Sequence, residues 1–316
     1  MFKLLANDGI DPIGKEILEK AGFTVDTQTV PQEQLAEALQ NYDALTVRSA
    51  TKVRKELINS CPNLKLIGRG GVGMDNIDVD YARNKGIAVV NTPAASSLSV
   101  AELVFAHLFT GVRFLQDANR AMPSKGATAF NDLKKAYAKG IELRGKTIGI
   151  IGFGRIGRET AKIALGLGMD VLAYDFSPIP ETLPVIFSGG IEVNLPVKGV
   201  TFETLLAESD FIILHVPFTD KPIIGAAEFA QMKNGAALVN CSRGGTVDET
   251  ALLAALDSGK LAFAGLDVFD NEPTPRQDLL SHPKISLSPH IGASTNEAQE
   301  RIGTELAQLI IDHFKH

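Results

Sequence analysis

Three side chains suited to proton and anion chemistry lie late in this chain, each close behind an apolar run. They are Arg243 in Asn240-Cys241-Ser242-Arg243-Gly244-Gly245, Glu272 in Leu266-Asp267-Val268-Phe269-Asp270-Asn271-Glu272-Pro273, and His290 in Ser288-Pro289-His290-Ile291-Gly292. A guanidinium keeps its charge, so it can hold a carboxylate and stabilise a developing oxyanion. A free histidine titrates near ~6.5 and can give or take a proton at cellular pH. A carboxylate beside it fixes the ring and favours its charged form. Upstream lies a glycine-rich fingerprint, Gly152-Phe153-Gly154-Arg155-Ile156-Gly157. An arginine, a carboxylate and a histidine beside a dinucleotide are the set that hydride transfer to or from a 2-hydroxy acid requires.

The fingerprint stands in the right context. Thr147-Ile148-Gly149-Ile150-Ile151 reads as a strand, and a helix runs from the glycines toward Leu165. Gly152 permits the tight turn, Gly154 lets the backbone approach a pyrophosphate, and Gly157 allows close helix–strand packing. Arg155 and Ile156 open the helix, whose N-terminus favours phosphate. Asp175 ends the next strand at the spacing expected of a residue that binds the adenine ribose hydroxyls. Its carboxylate would repel a 2′-phosphate, and Phe176-Ser177-Pro178 offers no arginine to hold one. The expected cofactor is therefore NAD rather than NADP. His215 and Pro217 end another strand, where they either line the cofactor pocket or, in the case of His215, fill a structural role.

These residues need elements to place them. Short β-rich runs alternate with helical patterns, as in βα units with parallel sheets. Strands are expected at Phe2–Ala6, Phe23–Thr27, Asp43–Val47, Leu64–Ile67 and Ala88–Val90, and again at Thr147–Ile151, Val171–Tyr174, Phe211–His215, Ala237–Asn240 and Phe263–Asp267. Ser99–Phe114 reads as a helix apolar almost all round, which belongs in a core or an interface and contains His107 as a packed residue. Asn119–Glu142 reads as a surface arm, broken near Met122-Pro123-Ser124-Lys125-Gly126, that is either a dimer contact or a plain exposed loop. The amphipathic helix Asn296–Phe314 would pack back on the first domain and make it discontinuous.

The chain resembles the D-isomer-specific 2-hydroxyacid dehydrogenase family over nearly its whole length. The resemblance is carried by Val47–Val53, Gly68–Asp78, Asn91-Thr92-Pro93, the fingerprint, Asn240–Leu252, Leu266–Pro273 and Ser288–Thr295. It implies an α/β fold of two Rossmann-like or flavodoxin-like open parallel-sheet domains, the substrate domain being discontinuous. Residues 1–96 and 288–316 would form the substrate-binding domain, and 97–287 the NAD-binding domain with a dimerisation arm at about 115–145. It implies that Arg243 binds the substrate, His290 is the acid/base and Glu272 its partner, with Asp267 among the cofactor-binding residues. Gly70, Gly71 and Val72 would form a substrate loop. Arg48, Ser49 and Arg69 would complete the substrate site. In the phosphoglycerate dehydrogenases of the family, arginines occupy the positions of both Arg48 and Arg69, which suits a second anionic group. The implied reaction is oxidation of D-3-phosphoglycerate to 3-phosphohydroxypyruvate, the first step of serine synthesis.

Composition narrows the partners. With a net charge of −6, nucleic acid and anionic membrane are poor main partners. Cys61 and Cys241 have no zinc or disulfide spacing, which with the absence of a secretion signal points to a cytoplasmic protein without a bound metal. A homodimer acting on a small 2-hydroxy or 2-keto acid is expected. The competing readings are a glyoxylate or hydroxypyruvate reductase, against which Arg48 and Arg69 count, and an NAD-sensing corepressor-like binding protein, which peptide binding would reveal.

Overall fold

The computed structural model describes residues 2–315. Met1 and His316, the outer limits of the expected substrate domain, lie outside the described residues.

The first sheet is built from β1 (Lys3–Ala6), β2 (Thr24–Asp26), β3 (Ala44–Val47), β4 (Leu66–Arg69) and β5 (Ala88–Asn91), all parallel in the order β2-β1-β3-β4-β5. Alternate residues point to opposite faces of a strand, and parallel sheets bury both. Leu5 therefore packs with Leu45, Val47 and Ile67 on one face. Leu4 and Ala6 pack on the other with Leu306, Ala307 and Ile310 of the helix Asn296–Lys315. That helix crosses the helix Pro12–Lys20 at Gly14 and Gly303, where a Cβ on Gly14 would lie 2.6 Å from the Gly303 carbonyl oxygen. The last helix thus closes the sheet formed by the chain's first third.

The second sheet has seven parallel strands: β6 (Thr147–Ile151), β7 (Asp170–Tyr174), β10 (Lys198–Gly199), β11 (Phe211–Leu214), β12 (Ala236–Asn240), β13 (Leu261–Leu266) and β14 (Ile285–Leu287), in the order β10-β7-β6-β11-β12-β13-β14. Ile148, Ile150, Phe211, Ile213 and Val239 fill one face. Ile212, Leu214 and Leu238 fill the other. β8 (Thr182–Ile186) and β9 (Glu192–Pro196) form a separate antiparallel hairpin.

The chain divides into two compact units, Met1–Ser99 with Ala293–His316, and Val100–Gly292. Relative to the expected limits, Ser288–Gly292 lie in the second unit, because Asp267 holds His290, Ile291 and Gly292 by hydrogen bonds. The arm also differs from expectation. Pro123 does not break a helix but lies within Leu115–Lys125. It occupies the last turn, where few further backbone bonds depend on it. The direction change comes earlier, at Phe114, whose φ is +54°; there Ser97–Val112 and Leu115–Lys125 meet at 57°. A second helix, Phe130–Ala136, follows. Among the described residues no single helix is long and apolar enough to cross a membrane.

Candidate active site

In an open parallel sheet, ligands bind outside the carboxyl ends of the strands, where the strand order reverses. In the second unit that point lies between β6 and β11, and the chemistry-bearing residues are the ones that follow strands on that edge. Gly152 follows β6, Asp175 follows β7, His215 follows β11, Arg243 lies three residues past β12, Asp267 follows β13 and Ser288 follows β14.

The turn after β6 fits a dinucleotide. Gly152 has φ +91°, and a Cβ there would lie 2.3 Å from the His215 carbonyl oxygen. A Cβ on Gly157 would lie 2.3 Å from the Gly152 carbonyl oxygen, so the helix seats directly on the turn. Around Gly154 the space is open. The helix Arg155–Gly166 begins there with no side-chain cap, which leaves its first-turn N–H groups aimed outward, as an anion site needs. Arg155 is exposed and Ile156 half-buried at this end. Asp175 accepts from the Phe153 N–H at 2.6 Å and the Ser177 N–H at 2.9 Å. A carboxylate has about four acceptor positions, so two remain for ribose hydroxyls.

His215 turns under this helix. Its Nε2 meets the Thr160 hydroxyl at 2.8 Å, and its Nδ1 is buried with no partner among the described residues. Burial pushes its pKa down to about 3. The imidazole is neutral and packs the turn from beneath, while Pro217 remains exposed at the edge.

Arg243, Glu272 and His290 come together in this unit. Glu272 Oε2 lies 2.8 Å from His290 Nδ1, and Glu272 Oε1 accepts from the Phe269 N–H at 3.0 Å. Burial raises the Glu272 pKa, but the His290 hydrogen bond and charge, the Phe269 N–H and the Arg243 charge outweigh it and hold the carboxyl below its ordinary value. The Arg243 guanidinium donates to the Ser242 carbonyl at 2.6 Å. Its loop is shaped by Asn240, which donates to the Arg243 carbonyl and accepts from the Ser242 N–H and hydroxyl. The Arg243 and Glu272 loops touch backbone to backbone: a Cβ on Gly244 would lie 2.0 Å from the Phe269 carbonyl oxygen. Asp270 accepts from the Gly245 N–H and donates its own N–H to Glu249, fastening the two loops further. A cavity of about 420 Å³ opens beside the pair, lined by Phe269, Pro275, Leu280, Leu287, Glu272 and His290.

Asp267, expected among the cofactor-binding residues, follows β13 at this edge and braces the histidine loop. It is 1% exposed, and its carboxylate accepts from the Ser288 hydroxyl at 2.6 Å and the Ile291 and Gly292 N–H groups at 2.8 Å each. Its carbonyl accepts from the His290 N–H. These bonds hold His290 at φ +54°, a backbone state that costs a non-glycine residue free energy. Asp267 is a clamp for the histidine loop.

The other expected residues lie in the first unit, at the carboxyl edge of its own sheet. Arg48 and Ser49 follow β3, and Arg69 ends β4, the adjacent strand. Burial lowers the Arg48 pKa while Asp8 and Asp11 oppose the fall. Arg69 donates to the Gly70 carbonyl at 2.9 Å and occupies the space a Gly71 side chain would need. Sequence reasoning missed the residues that pin these loops. Asp8 accepts from the Arg48 and Thr51 N–H groups, Asn76 donates to the Arg48 and Thr51 carbonyls, and Asn91 donates to the Val72 carbonyl. Their signal, an Asp or Asn at a strand end or in a turn, is common to all α/β loops.

A seven-stranded parallel sheet with a glycine turn at its switch point, flanked by a histidine–carboxylate pair and an arginine, defines a dinucleotide-dependent oxidoreductase. Comparison with known proteins gives the family. Residues 105–292 match the D-isomer specific 2-hydroxyacid dehydrogenase, NAD binding domain. The chain is 44% identical over 315 residues to a hydroxypyruvate reductase of Thermotoga maritima, covering 98% of this chain and 97% of that one. It is 42% identical over 318 residues to a D-3-phosphoglycerate dehydrogenase of Archaeoglobus fulgidus, covering 99% of this chain but 58% of that one. It therefore spans little more than half the length of that relative. Among solved structures, D-lactate dehydrogenase from Aquifex aeolicus, in complex with NAD and lactic acid, is similar at a TM-score of 0.79 and 30% identity, covering 99% of this chain and 95% of that one. The chain belongs to the D-isomer specific 2-hydroxyacid dehydrogenase family. Its activity is that of a D-2-hydroxyacid dehydrogenase, with NAD as cofactor and a small hydroxy or keto acid as substrate.

Proposed function

We propose that this enzyme interconverts D-3-phosphoglycerate and 3-phosphohydroxypyruvate. Arg243, His290 and Glu272 carry the chemistry, and the residues Gly152–Gly157 and Asp175 hold NAD. The cofactor, when bound, takes up or supplies the hydride at C2 of the substrate. Arg243 holds the substrate carboxylate and the reacting oxygen. His290 binds Glu272 through Nδ1, so Nε2 is the atom that gives the proton to the carbonyl oxygen in reduction and receives it in oxidation. Glu272 keeps the ring oriented and balances its positive charge.

The observation that supports a phosphorylated substrate is the pair Arg48 and Arg69 at the carboxyl ends of neighbouring strands, with Ser49 and Gly70–Val72 beside them. A lone 2-keto acid carboxylate needs one cation, and Arg243 supplies it. The second reading, reduction of unphosphorylated hydroxypyruvate or glyoxylate, is favoured by the hydroxypyruvate reductase that matches this chain end to end and by the Asp8 and Asp11 charges around Arg48. Exposed Leu115, Met122 and Phe130 on the arm support a homodimer, and the two thiols, both free, fit a cytoplasmic setting.

The test is NADH oxidation with 3-phosphohydroxypyruvate, hydroxypyruvate, glyoxylate and pyruvate. The proposal expects the phosphorylated acid to lead in kcat/KM by at least about tenfold, the effect of roughly 1.4 kcal/mol of added binding. Equal or better rates without phosphate would transfer the enzyme to the reductase reading and leave Arg48 and Arg69 as structural residues.

A further inference from the structure

His107 lies in the middle of the apolar helix Ser97–Val112 and is 3% exposed. Packing alone does not account for its contacts. Its Nδ1 is 2.8 Å from the Ser286 hydroxyl and its Nε2 is 3.0 Å from the Ser288 hydroxyl. Space for the side chain is made by Gly265 on β13, where a Cβ would lie 2.6 Å from the His107 Cβ. Ser288 in turn donates to Asp267 at 2.6 Å, and Asp267 holds the backbone of His290, Ile291 and Gly292.

The protons in this chain of bonds can be assigned. A serine hydroxyl has one hydrogen, and that of Ser288 goes to the Asp267 carboxylate, which can only accept. Ser288 must then accept from His107, so Nε2 carries the imidazole proton. Burial disfavours the charged ring, although the Asp267 charge opposes this. The neutral ring leaves Nδ1 to accept from Ser286. Two serines on β14 and just beyond it are thereby bound to one rigid side chain of the helix.

We propose that His107, as the neutral Nε2–H tautomer, is a positioning residue for the reaction: it orients the Ser288 hydroxyl toward Asp267 and so presets the loop that presents His290. The inference rests on His290 as the acid/base. It concerns alignment in the transition state, where small misplacements lower kcat more than they weaken binding.

The experiment compares wild type, His107→Leu, His107→Gln, Ser288→Ala, the double variant His107→Leu with Ser288→Ala, and His290→Gln in keto-acid reduction by NADH, with NADH affinity from fluorescence. His107→Leu should lower kcat by about 10- to 100-fold, with KM and NADH Kd within about threefold. Glutamine, which can donate from its Nε2, should restore much of the loss. The double variant should lose no more than the larger single loss, because both act through one hydroxyl. Nitrogen-15 histidine spectra of the wild type should show Nε2 protonated and Nδ1 bare between pH 6 and 8, a test independent of whether any variant folds. A protonated Nδ1, a His107→Leu enzyme with full kcat, or losses that simply add would overturn the proposal. If His290→Gln retains turnover, the reading of the site has failed instead; if it is inactive while His107→Leu is unimpaired, only the positioning role has.

Discussion

At the scale of single residues, the proposed NAD site makes Asp175 the residue that sets cofactor choice. Two of its acceptor positions hold the backbone of the glycine turn and of Ser177, and the carboxylate, half-buried, has two more for ribose hydroxyls. Wild type is expected to favour NADH over NADPH in kcat/KM by two orders of magnitude or more, and Asp175→Ser to narrow that ratio at least tenfold; paired steady-state assays decide it. Glu272→Gln keeps the shape of the pair and removes its charge. It should cost kcat about 10²-fold with little change in NADH affinity, the range usual for loss of acid–base assistance. Much at this scale could be read from the chain. That Arg243, Glu272 and His290 come together could be expected from their types and from their places past strand ends. The bracing of the histidine loop by Asp267 was not legible, because its three donors come from residues 288–292, which only the fold brings to it. For the same reason His107 looked like one more packed side chain on an apolar helix.

At the scale of elements, the site depends on loops pressed against each other. Gly244 allows the Arg243 loop to lie on the Phe269 carbonyl. Gly244→Ala should therefore push Arg243 away from the Glu272–His290 pair, lowering kcat/KM at least 100-fold while the NADH site, on the other strands, binds nearly as before. Normal turnover in that variant would mean that the two loops need not be in register. The long buried strands were legible because four or five consecutive apolar residues leave few alternatives. β14 was not, since Ile285–Leu287 is three residues long and bounded by Pro283 and Pro289. The hairpin β8–β9 was hidden by prolines and glycines, and Pro123 read as a helix breaker although its place in a last turn makes it tolerable.

For the molecule as a whole, the fold carries an acid sensitivity. His215 is neutral in the folded protein to about pH 3, whereas an unfolded histidine takes a proton near ~6.5. Below that value the unfolded state binds a proton the native state refuses, so stability falls with pH between the two, by about 1.4 kcal/mol per unit for one group. Glu272 adds a later loss: its folded pKa lies below the ordinary carboxylate value, so its contribution is present above that value and disappears as pH drops through the lowered one. Urea unfolding from pH 7 to pH 4 should show a declining midpoint, and His215→Gln should remove about one proton's worth of the slope. An unchanged slope would place the acid sensitivity elsewhere.

On the proposed mechanism, His290, held by Glu272 and preset by Asp267, moves the proton in this D-2-hydroxyacid dehydrogenase. The most direct measurement is single-turnover reduction of 3-phosphohydroxypyruvate or hydroxypyruvate by NADH in wild type and His290→Gln, with NADH binding measured on the same samples. The chemical step should slow by at least 10²-fold in the variant while NADH affinity stays within about twofold. A variant that reduces the keto acid at the wild-type rate would contradict an acid/base role for His290.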